Sequence, residues 1–219
     1  DDCDRCALRF SGPDCSECSD RFVGADCDQC REGFAGDDCD RCAEGRAGPG
    51  CGSPTFRSVD AGEAHSCGIT TRGTVQCWGV DLADQSSPPG GQFQSVSAGH
   101  SHSCGVTAEG TARCWGRNRE DQSAPPPGIF STVSAAGSFY SCGLRENGTA
   151  ACWGRDEHNR TSAPPNVVFR TLSTGIYHNC GITDAETIRC WGADNRGQST
   201  APGGVFRDVC AGMEHSCAL

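Results

Sequence analysis

The chain has 219 residues, of which 19 are cysteine and 30 are glycine, and its formal net charge is −10. Cysteine at this density predicts disulfides and therefore an oxidising compartment, which is extracellular or at a cell surface. No basic stripe is present, which argues against nucleic acid as a partner, and no run is long and apolar enough to cross a membrane. No signal peptide is visible, so we expect a mature chain or a piece of a longer one.

Residues 1–52 form a tandem cysteine repeat with a strict period of twelve. Each unit reads Cys-x-x-Cys followed by eight residues, which hold an aromatic residue and then a glycine in three of the four units. Units this small cannot bury a hydrophobic core, so disulfides must hold them. Zinc is the competing explanation for Cys-x-x-Cys spacings. We reject it because the spacings continue in tandem without stopping and are absent from the second part of the chain.

Two nearest-neighbour pairing schemes are open for these cysteines. One bridges each eight-residue loop and leaves Cys3 over, and the other bridges each Cys-x-x-Cys and leaves Cys51 over. We favour the first scheme because the second closes strained rings. The favoured pairs are Cys6–Cys15, Cys18–Cys27, Cys30–Cys39 and Cys42–Cys51.

The stretch from Cys30 to Cys39, which reads Cys-Arg-Glu-Gly-Phe-Ala-Gly-Asp-Asp-Cys, resembles the closing loop of EGF-like modules of the laminin type. In that family these two cysteines pair, as the favoured scheme has them. The resemblance covers residues 3–51, but only as a succession of closing loops. It implies a stalk or spacer, and the acidic motif of calcium-binding modules is missing, so we predict no bound metal.

A second repeat fills residues 53–219, with two cysteines ten positions apart and Trp-Gly after the second. Alternating apolar runs around a tip that ends in glycine predict a β-hairpin. If Gly110 takes the positive φ of a three-residue loop, Cys104 and Cys114 lie opposite each other, close enough for a disulfide. The predicted pairs are Cys67–Cys77, Cys104–Cys114, Cys142–Cys152 and Cys180–Cys190.

Two positions depart from this hairpin pattern. Glu186 holds the glycine position of the fourth hairpin, where a positive φ costs about 1–3 kcal/mol, so we expect that tip to turn differently. Cys217 starts a fifth unit whose second cysteine would lie past Leu219, and Cys210 has no evident partner.

Each unit also supplies a strand at Phe-x-x-Val, a variable segment after Trp-Gly and a proline-rich link. Three or four short strands at this period fit a propeller blade. The motif Val-x-x-Gly-x-x-His-Ser occurs at 59–66, 96–103 and 209–216. It resembles the repeats of the regulator of chromosome condensation and of the β-lactamase-inhibitor protein type II, over residues 56–219.

This resemblance implies a seven-bladed propeller, of which four blades and the start of a fifth are present. The cysteine pair in every blade resembles the secreted and receptor-ectodomain branch, such as the crinkly repeats. The predicted fold is therefore all-β, with a disulfide-rich EGF-like stalk in 1–52 followed by part of a propeller in 53–219. Where the family has Asn-x-x-Gly-Gln-Leu, this chain has sequences such as Asp84-Gln85-Ser86, and its Asp, Asn or Gly still permits the positive φ of the turn.

Four histidines recur two residues before a cysteine, at His65, His102, His178 and His215, and Tyr140 takes this place in the third repeat. One such residue per blade, with a tyrosine among them, favours a side chain that hydrogen-bonds its own blade over a metal ligand. No serine, cysteine or carboxylate group forms a recognisable catalytic set. The sequence therefore predicts a protein that is not an enzyme and holds no cofactor.

Two N-glycosylation acceptors, Asn147 and Asn159, lie on predicted turns. We predict an extracellular structural or interaction module of a surface glycoprotein or surface fibre, which acts by contact with proteins, including copies of itself. The alternative is a soluble protein-binding inhibitor or a ligand-binding receptor ectodomain. The candidate partner residues, in the loops after Trp-Gly, are Asp81, Asp84, Arg117, Arg119, Asp156, His158, Asp194 and Arg196.

Overall fold

The computed structural model describes residues 54–219 and, before them, the backbone of six two-residue strands. These strands pair into three antiparallel hairpins, β1 with β2, β3 with β4 and β5 with β6. The cysteine pairs predicted for residues 1–52 lie outside the described side chains. The six strands are β1 (Phe10–Ser11), β2 (Glu17–Cys18), β3 (Phe22–Val23), β4 (Gln29–Cys30), β5 (Phe34–Ala35) and β6 (Arg41–Cys42).

The chain divides into two compact units, residues 1–57 with 70–72 and residues 58–69 with 73–219. From Phe56 onward the chain forms a succession of antiparallel sheets in which strand order follows the sequence. Four sheets have three strands and the last has two. We refer to them as blades 1 to 5.

The strands of these blades are short and begin at the residue types that the repeat predicts. Blade 1 contains β7 (Phe56–Ala61), β8 (His65–Thr70) and β9 (Val75–Gly79), and blade 2 contains β10 (Phe93–Ala98), β11 (His102–Thr107) and β12 (Ala112–Gly116). Blade 3 contains β13 (Phe130–Ser134), β14 (Tyr140–Arg145) and β15 (Ala150–Gly154), and blade 4 contains β16 (Phe169–Thr174), β17 (His178–Thr183) and β18 (Ile188–Gly192). Blade 5 contains β19 (Val209–Ala211) and β20 (Ser216–Ala218).

The hairpin register in each complete blade is the one that the cysteine spacing predicts. Cys104 lies opposite Cys114, and Gly110 at the tip has a φ of +83°. The opposed Cα atoms are 4.0 to 4.1 Å apart, as at a non-hydrogen-bonded site. The disulfides are Cys67–Cys77, Cys104–Cys114, Cys142–Cys152 and Cys180–Cys190.

The expectation that the fourth hairpin turns differently is wrong. Glu186 has a φ of +61° and its N–H donates to the carbonyl of Thr183, as Gly110 donates to Thr107 in the second hairpin. The side chain of Glu186 then accepts a hydrogen bond of 2.9 Å from Arg170. The hairpin contacts thus hold a non-glycine residue in a conformation that it would otherwise avoid.

The apolar core lies between successive blades. Trp115 of blade 2 packs with Cys67 and Ile69 of blade 1 and meets Phe93 edge-on, with ring centroids 6.1 Å apart. Trp153 packs in the same way on Cys104 of blade 2. A single three-stranded sheet cannot bury its own apolar faces, so the side chains of each blade pack on the preceding blade and bury them.

Candidate interaction face

One end of the larger unit collects two sets of segments, which we call the loop face. The turns between first and second strands lie beside the loops that follow Trp-Gly, because the register pairs His102 with Gly116 and the N–H of Arg117 donates to the carbonyl of Ser101. The same pairing recurs in the other complete blades. The loop face contains turns 62–64, 99–101, 135–139 and 175–177, and loops 80–87, 117–124, 155–162 and 193–200.

The recurring histidine does not hydrogen-bond its own blade, so that prediction is wrong. His65 Nε2 lies 2.7 Å from Ser103 Oγ of blade 2, and His102 Nε2 lies 2.8 Å from Ser141 Oγ of blade 3. His178 makes the same contact of 2.8 Å with Ser216 of blade 5. The histidine is structural, as expected, but it connects each blade to the next.

The direction of these bonds follows from the second contact of the serine. Ser103 donates its hydroxyl hydrogen to the carbonyl of Gln85 at 3.0 Å, and Trp115 Nε1 donates to the same carbonyl at 2.9 Å. The serine oxygen must then accept from His65, whose Nε2 carries the hydrogen. The Nδ1 of His65, of His102 and of His178 is buried without a hydrogen-bond partner in the described part of the chain, as expected for a neutral ring.

Burial makes these rings hard to protonate. Together with smaller contributions from the nearby His65 and His100, burial lowers the pKa of His102 to about 3. Burial also lowers the pKa of His65 and of His178 from the usual value. Because the unfolded chain takes up these protons more readily, stability is complete above the ordinary histidine pKa and is lost as the pH falls below it.

We therefore predict that the free energy of unfolding falls by about 2 kcal/mol or more when the pH is lowered from 7.5 to 5. The check is urea unfolding at both values, compared with His102→Gln, which keeps an N–H donor but cannot titrate. The variant should lose less stability on acidification than the native protein. An equal loss in both would show that His102 does not carry the effect.

The interface between blades 3 and 4 uses different side chains in all three roles. Tyr140 replaces the histidine and donates to the carbonyls of Gly175 at 2.9 Å and His178 at 3.0 Å. Asn179 replaces the serine, and its Nδ2 donates to the carbonyl of Arg160 at 2.8 Å. Arg160, which replaces the glutamine, places its guanidinium 4.8 Å from the centre of the Tyr140 ring.

Arg160 and Asn179 are interface residues that were not predicted from the sequence. The signal was available, because the three substitutions occur together, Tyr140 and Asn179 in adjacent repeats and Arg160 between them. Each of these three changes, considered alone, resembles ordinary variation between repeats, and only their occurrence together indicates a set of interacting residues.

Several of the candidate partner residues build the loops themselves. The carboxylates of Asp81, Asp156 and Asp194 accept hydrogen bonds of 2.7 to 2.9 Å from backbone N–H groups five residues on in their own loops. The bond from Thr161 is the main reason for the lowered pKa of Asp156. Asp84 and His158 both have a φ of +60° and so form the turns of their loops, like the Asp, Asn or Gly that the sequence predicted there.

Another candidate, Arg117, lies beside an aromatic ring in the turn of blade 3, together with two residues that were not candidates. The guanidinium carbons of Arg117 and Arg155 lie 5.5 and 5.8 Å from the centre of the Phe139 ring. The His100 ring, which also contacts Glu63, lies with its centroid 6.4 Å from that of Phe139. We call these four residues, Arg117, Phe139, Arg155 and His100, the Phe139 patch.

Within the Phe139 patch the two arginines are not equally satisfied. Arg155 Nε lies 3.6 Å from a carboxylate oxygen of Glu157. Arg117 Nε is buried without a hydrogen-bond partner among residues 54–219. The patch therefore places two guanidinium groups on one ring. Two other candidates lie outside the patch. Arg119 is exposed two residues after Arg117 in the same loop. Arg196, in the loop after blade 4, has its Nε 3.9 Å from a carboxylate oxygen of Glu214 in blade 5.

The two asparagines predicted as glycosylation acceptors lie at opposite ends of the strands. Asn147 is exposed at a hairpin tip, where its side-chain oxygen accepts hydrogen bonds from the N–H and hydroxyl of Thr149. Asn159 is exposed on the loop face. In the described part of the chain, no helix is long and apolar enough for a membrane span, and no three His, Cys, Asp or Glu side chains lie together to hold a metal ion.

Comparison with known proteins assigns both repeats. The family model described as "Regulator of chromosome condensation (RCC1) repeat" matches residues 56–81, 93–122, 132–160 and 169–198. The model described as "Laminin EGF domain" matches residues 1–26 and 23–54. No curated protein sequence matches the chain.

Solved structures resemble the chain over most of its length. The entire ectodomain of the Physcomitrella patens receptor kinase CR4 is 27% identical with a TM-score of 0.68, over 80% of this chain and 50% of that one. The CRINKLY WD40 ectodomain of the Arabidopsis thaliana receptor kinase ACR4 is 31% identical with a TM-score of 0.58, over 64% of this chain and 51% of that one. Human WBSCR16 shares the fold at 17% identity, with a TM-score of 0.63, over 74% of this chain and 57% of that one. The chain thus spans about half the length of the receptor ectodomains.

Proposed function

The chain belongs to the family of regulator of chromosome condensation repeats, and from that we propose that it is an extracellular protein-interaction module whose loop face binds a partner protein. The Phe139 patch carries the proposal. Arginine and aromatic residues are the types most enriched where proteins bind each other. Two guanidinium groups beside one ring can each form charge-assisted hydrogen bonds with a carboxylate, while the ring contacts an adjacent apolar group.

The surroundings of the patch favour a carboxylate-bearing partner. The chain as a whole has a formal charge of −10, so a local pair of arginines is a specific site rather than part of a general basic surface. The phenyl ring restricts both side chains before binding, which reduces the entropy that a partner must overcome. Tyr177, at the same position of the next turn and 36% exposed, adds a second aromatic side chain to the face.

Within this function we favour a structural module of a surface glycoprotein or surface fibre, glycosylated at Asn147 and Asn159 and in contact with proteins that include its own copies. The proposal includes no catalytic activity. The similarity to two receptor-kinase ectodomains supports the second candidate, a ligand-binding receptor ectodomain. The two differ in whether the loop face binds another copy of the chain.

We predict that a random peptide library panned on the protein yields acidic sequences that bind the Phe139 patch. The double variant Arg117→Gln with Arg155→Gln should weaken their binding at least tenfold, which is about 1.4 kcal/mol, because both charge-assisted bonds are lost. Arg119→Gln, on the same loop but away from the ring, should change the affinity less than twofold. Peptides that bind the double variant as tightly as the native protein would place the site elsewhere.

Sedimentation velocity over a concentration series then separates the two candidates. A surface assembly predicts association of the native protein that the double variant lacks. Monomers at every concentration, together with peptide binding at the patch, would favour the receptor-type module. If the protein showed no association and no peptide binding, the proposed function would be contradicted.

A further inference from the structure

Blade 5 brings together two cysteines that have no disulfide partner among residues 54–219. In the register of β19 and β20, Cys210 lies directly opposite Cys217. Both are exposed, and both are free thiols in the described part of the chain. Directly opposed residues in an antiparallel pair point to the same side of the sheet, so the two thiols share one surface.

Cys210 also occupies a position at which the earlier blades have a hydrogen-bond acceptor. At the equivalent position of the earlier blades an oxygen accepts a hydrogen bond from a backbone N–H of the next blade, as Ser97 does from Ala135 at 3.0 Å. Thiol sulfur is a weak acceptor, so Cys210 is poorly suited to that link. The equivalent acceptors are Asp60, Ser97, Ser134 and Ser173.

The backbone geometry permits a bond between the two sulfurs. Hydrogen bonds from Gly212 N–H to His215 and from Leu219 N–H to Asp208 flank the pair at distances of 2.9 and 3.1 Å, which places Cys210 and Cys217 at a hydrogen-bonded site. Such pairs have Cα atoms about 5.5 Å apart, inside the range of about 4.4–6.8 Å in which disulfides form. Burial and the hydrogen bond with Cys217 raise the pKa of the Cys210 thiol, in keeping with their direct contact.

We propose that Cys210 and Cys217 are a modification site at which a cross-strand disulfide forms, in addition to the four disulfides of the repeats. The oxidant is a small disulfide such as oxidised glutathione. One cysteine thiolate attacks it and releases one small thiol, and the other cysteine thiolate then attacks the mixed disulfide and releases the second. The two cysteines lose two protons and two electrons, and one small disulfide becomes two thiols.

The bond would fasten β19 to β20. Because β20 carries Ser216, whose hydroxyl lies 2.8 Å from His178 Nε2, the disulfide also supports the connection between blades 4 and 5. The competing partner for Cys217 is a cysteine ten positions further on, since Cys67, Cys104, Cys142 and Cys180 all pair in that way. The two pairings exclude each other, so an experiment can decide between them.

Trypsin separates the site from the four repeat disulfides, because it cleaves after Arg207 and the peptide that begins at Asp208 contains both cysteines, with no arginine or lysine in residues 208–219. The whole protein is equilibrated in a glutathione redox buffer, alkylated without reduction, and digested. We expect the peptide to be unalkylated and about 2 Da lighter than its dithiol form, and to gain two alkyl groups once it has been reduced. Two alkylated cysteines before reduction, or a peptide linked to another segment or to glutathione alone, would overturn the proposal.

The variant Cys210→Ser is a control that is expected to fold like the native protein. Cys210→Ser installs the residue found at 97, 134 and 173, so blade 5 should fold and the four repeat disulfides should remain. In this variant we expect Cys217 to be alkylated or bound to glutathione. If the peptide that begins at Asp208 gave the same result in the variant as in the native protein, Cys210 would not be the partner.

Discussion

Replacement of Arg160 by alanine is expected to lower the free energy of unfolding by about 3–5 kcal/mol. The side chain is only 1% exposed. Its Nε donates to the carbonyl of Arg155 at 3.0 Å and its Nη1 to the carbonyl of Ile176 at 3.3 Å. Alanine leaves both carbonyls without these donors and leaves a cavity beside the Tyr140 ring. Chemical unfolding with the disulfides intact measures the loss.

Two further variants make this prediction specific. Arg119→Ala removes an exposed arginine and should change stability by less than about 0.5 kcal/mol. The triple variant Tyr140→His, Arg160→Gln and Asn179→Ser gives the interface between blades 3 and 4 the side chains of its neighbours. It should recover most of the stability that Arg160→Ala loses. A triple variant as unstable as the single one would mean that the three residues do not act as a set.

Replacement of Gly99 by alanine should also cost about 3 kcal/mol, for a steric reason. An added Cβ at Gly99 would overlap the carbonyl oxygen of Ala135 in the next blade and lie 3.0 Å from His102 Cε1. The backbone around this contact is fixed, since the N–H of Gly99 donates to the carbonyl of His102 at 2.8 Å. Blades 2 and 3 would have to separate, which also disturbs the bond from His102 to Ser141.

Gly90 provides the matched control for Gly99. A Cβ at Gly90 meets nothing within 4 Å, so Gly90→Ala should change stability by less than about 0.5 kcal/mol. Thermal unfolding of both variants at neutral pH makes the comparison. If the two alanines had equal effects, close contact between blades would not be the reason for glycine in the Gly-x-x-His motif.

The repeat period was sufficient to predict the hairpins and their disulfides. Two cysteines ten residues apart around a glycine tip belong to one local element, and its geometry depends on few residues beyond that stretch. The failure at Glu186 has the opposite origin. The local cost of a positive φ was judged correctly, but the rest of the hairpin and the bond from Arg170 at 2.9 Å hold the residue there.

The sequence could not predict which of the candidate partner residues are bonded within their own loops and which lie beside other segments. Charge and variability placed Asp81 and Arg117 in the same class. The structure separates them, because Asp81 accepts a hydrogen bond of 2.7 Å within its own loop, whereas Arg117 lies beside a ring from a different segment. Phe139 was not among the residues predicted from the sequence, and it lies beside two guanidinium groups only because loops from adjacent blades approach it.

The sequence by itself determined the local structure of this protein: the repeat, the strands, the register of each hairpin, the cysteine pairs in the blades and the family. These depend on contacts between residues a few positions apart. Only the tertiary structure decided how the blades connect, since His65 and Ser103 are 38 residues apart and the spacing cannot tell whether a side chain turns to its own blade or the next. It also brought Cys210 opposite Cys217 and placed two arginines on one ring, because both arrangements depend on how segments meet rather than on what each segment contains.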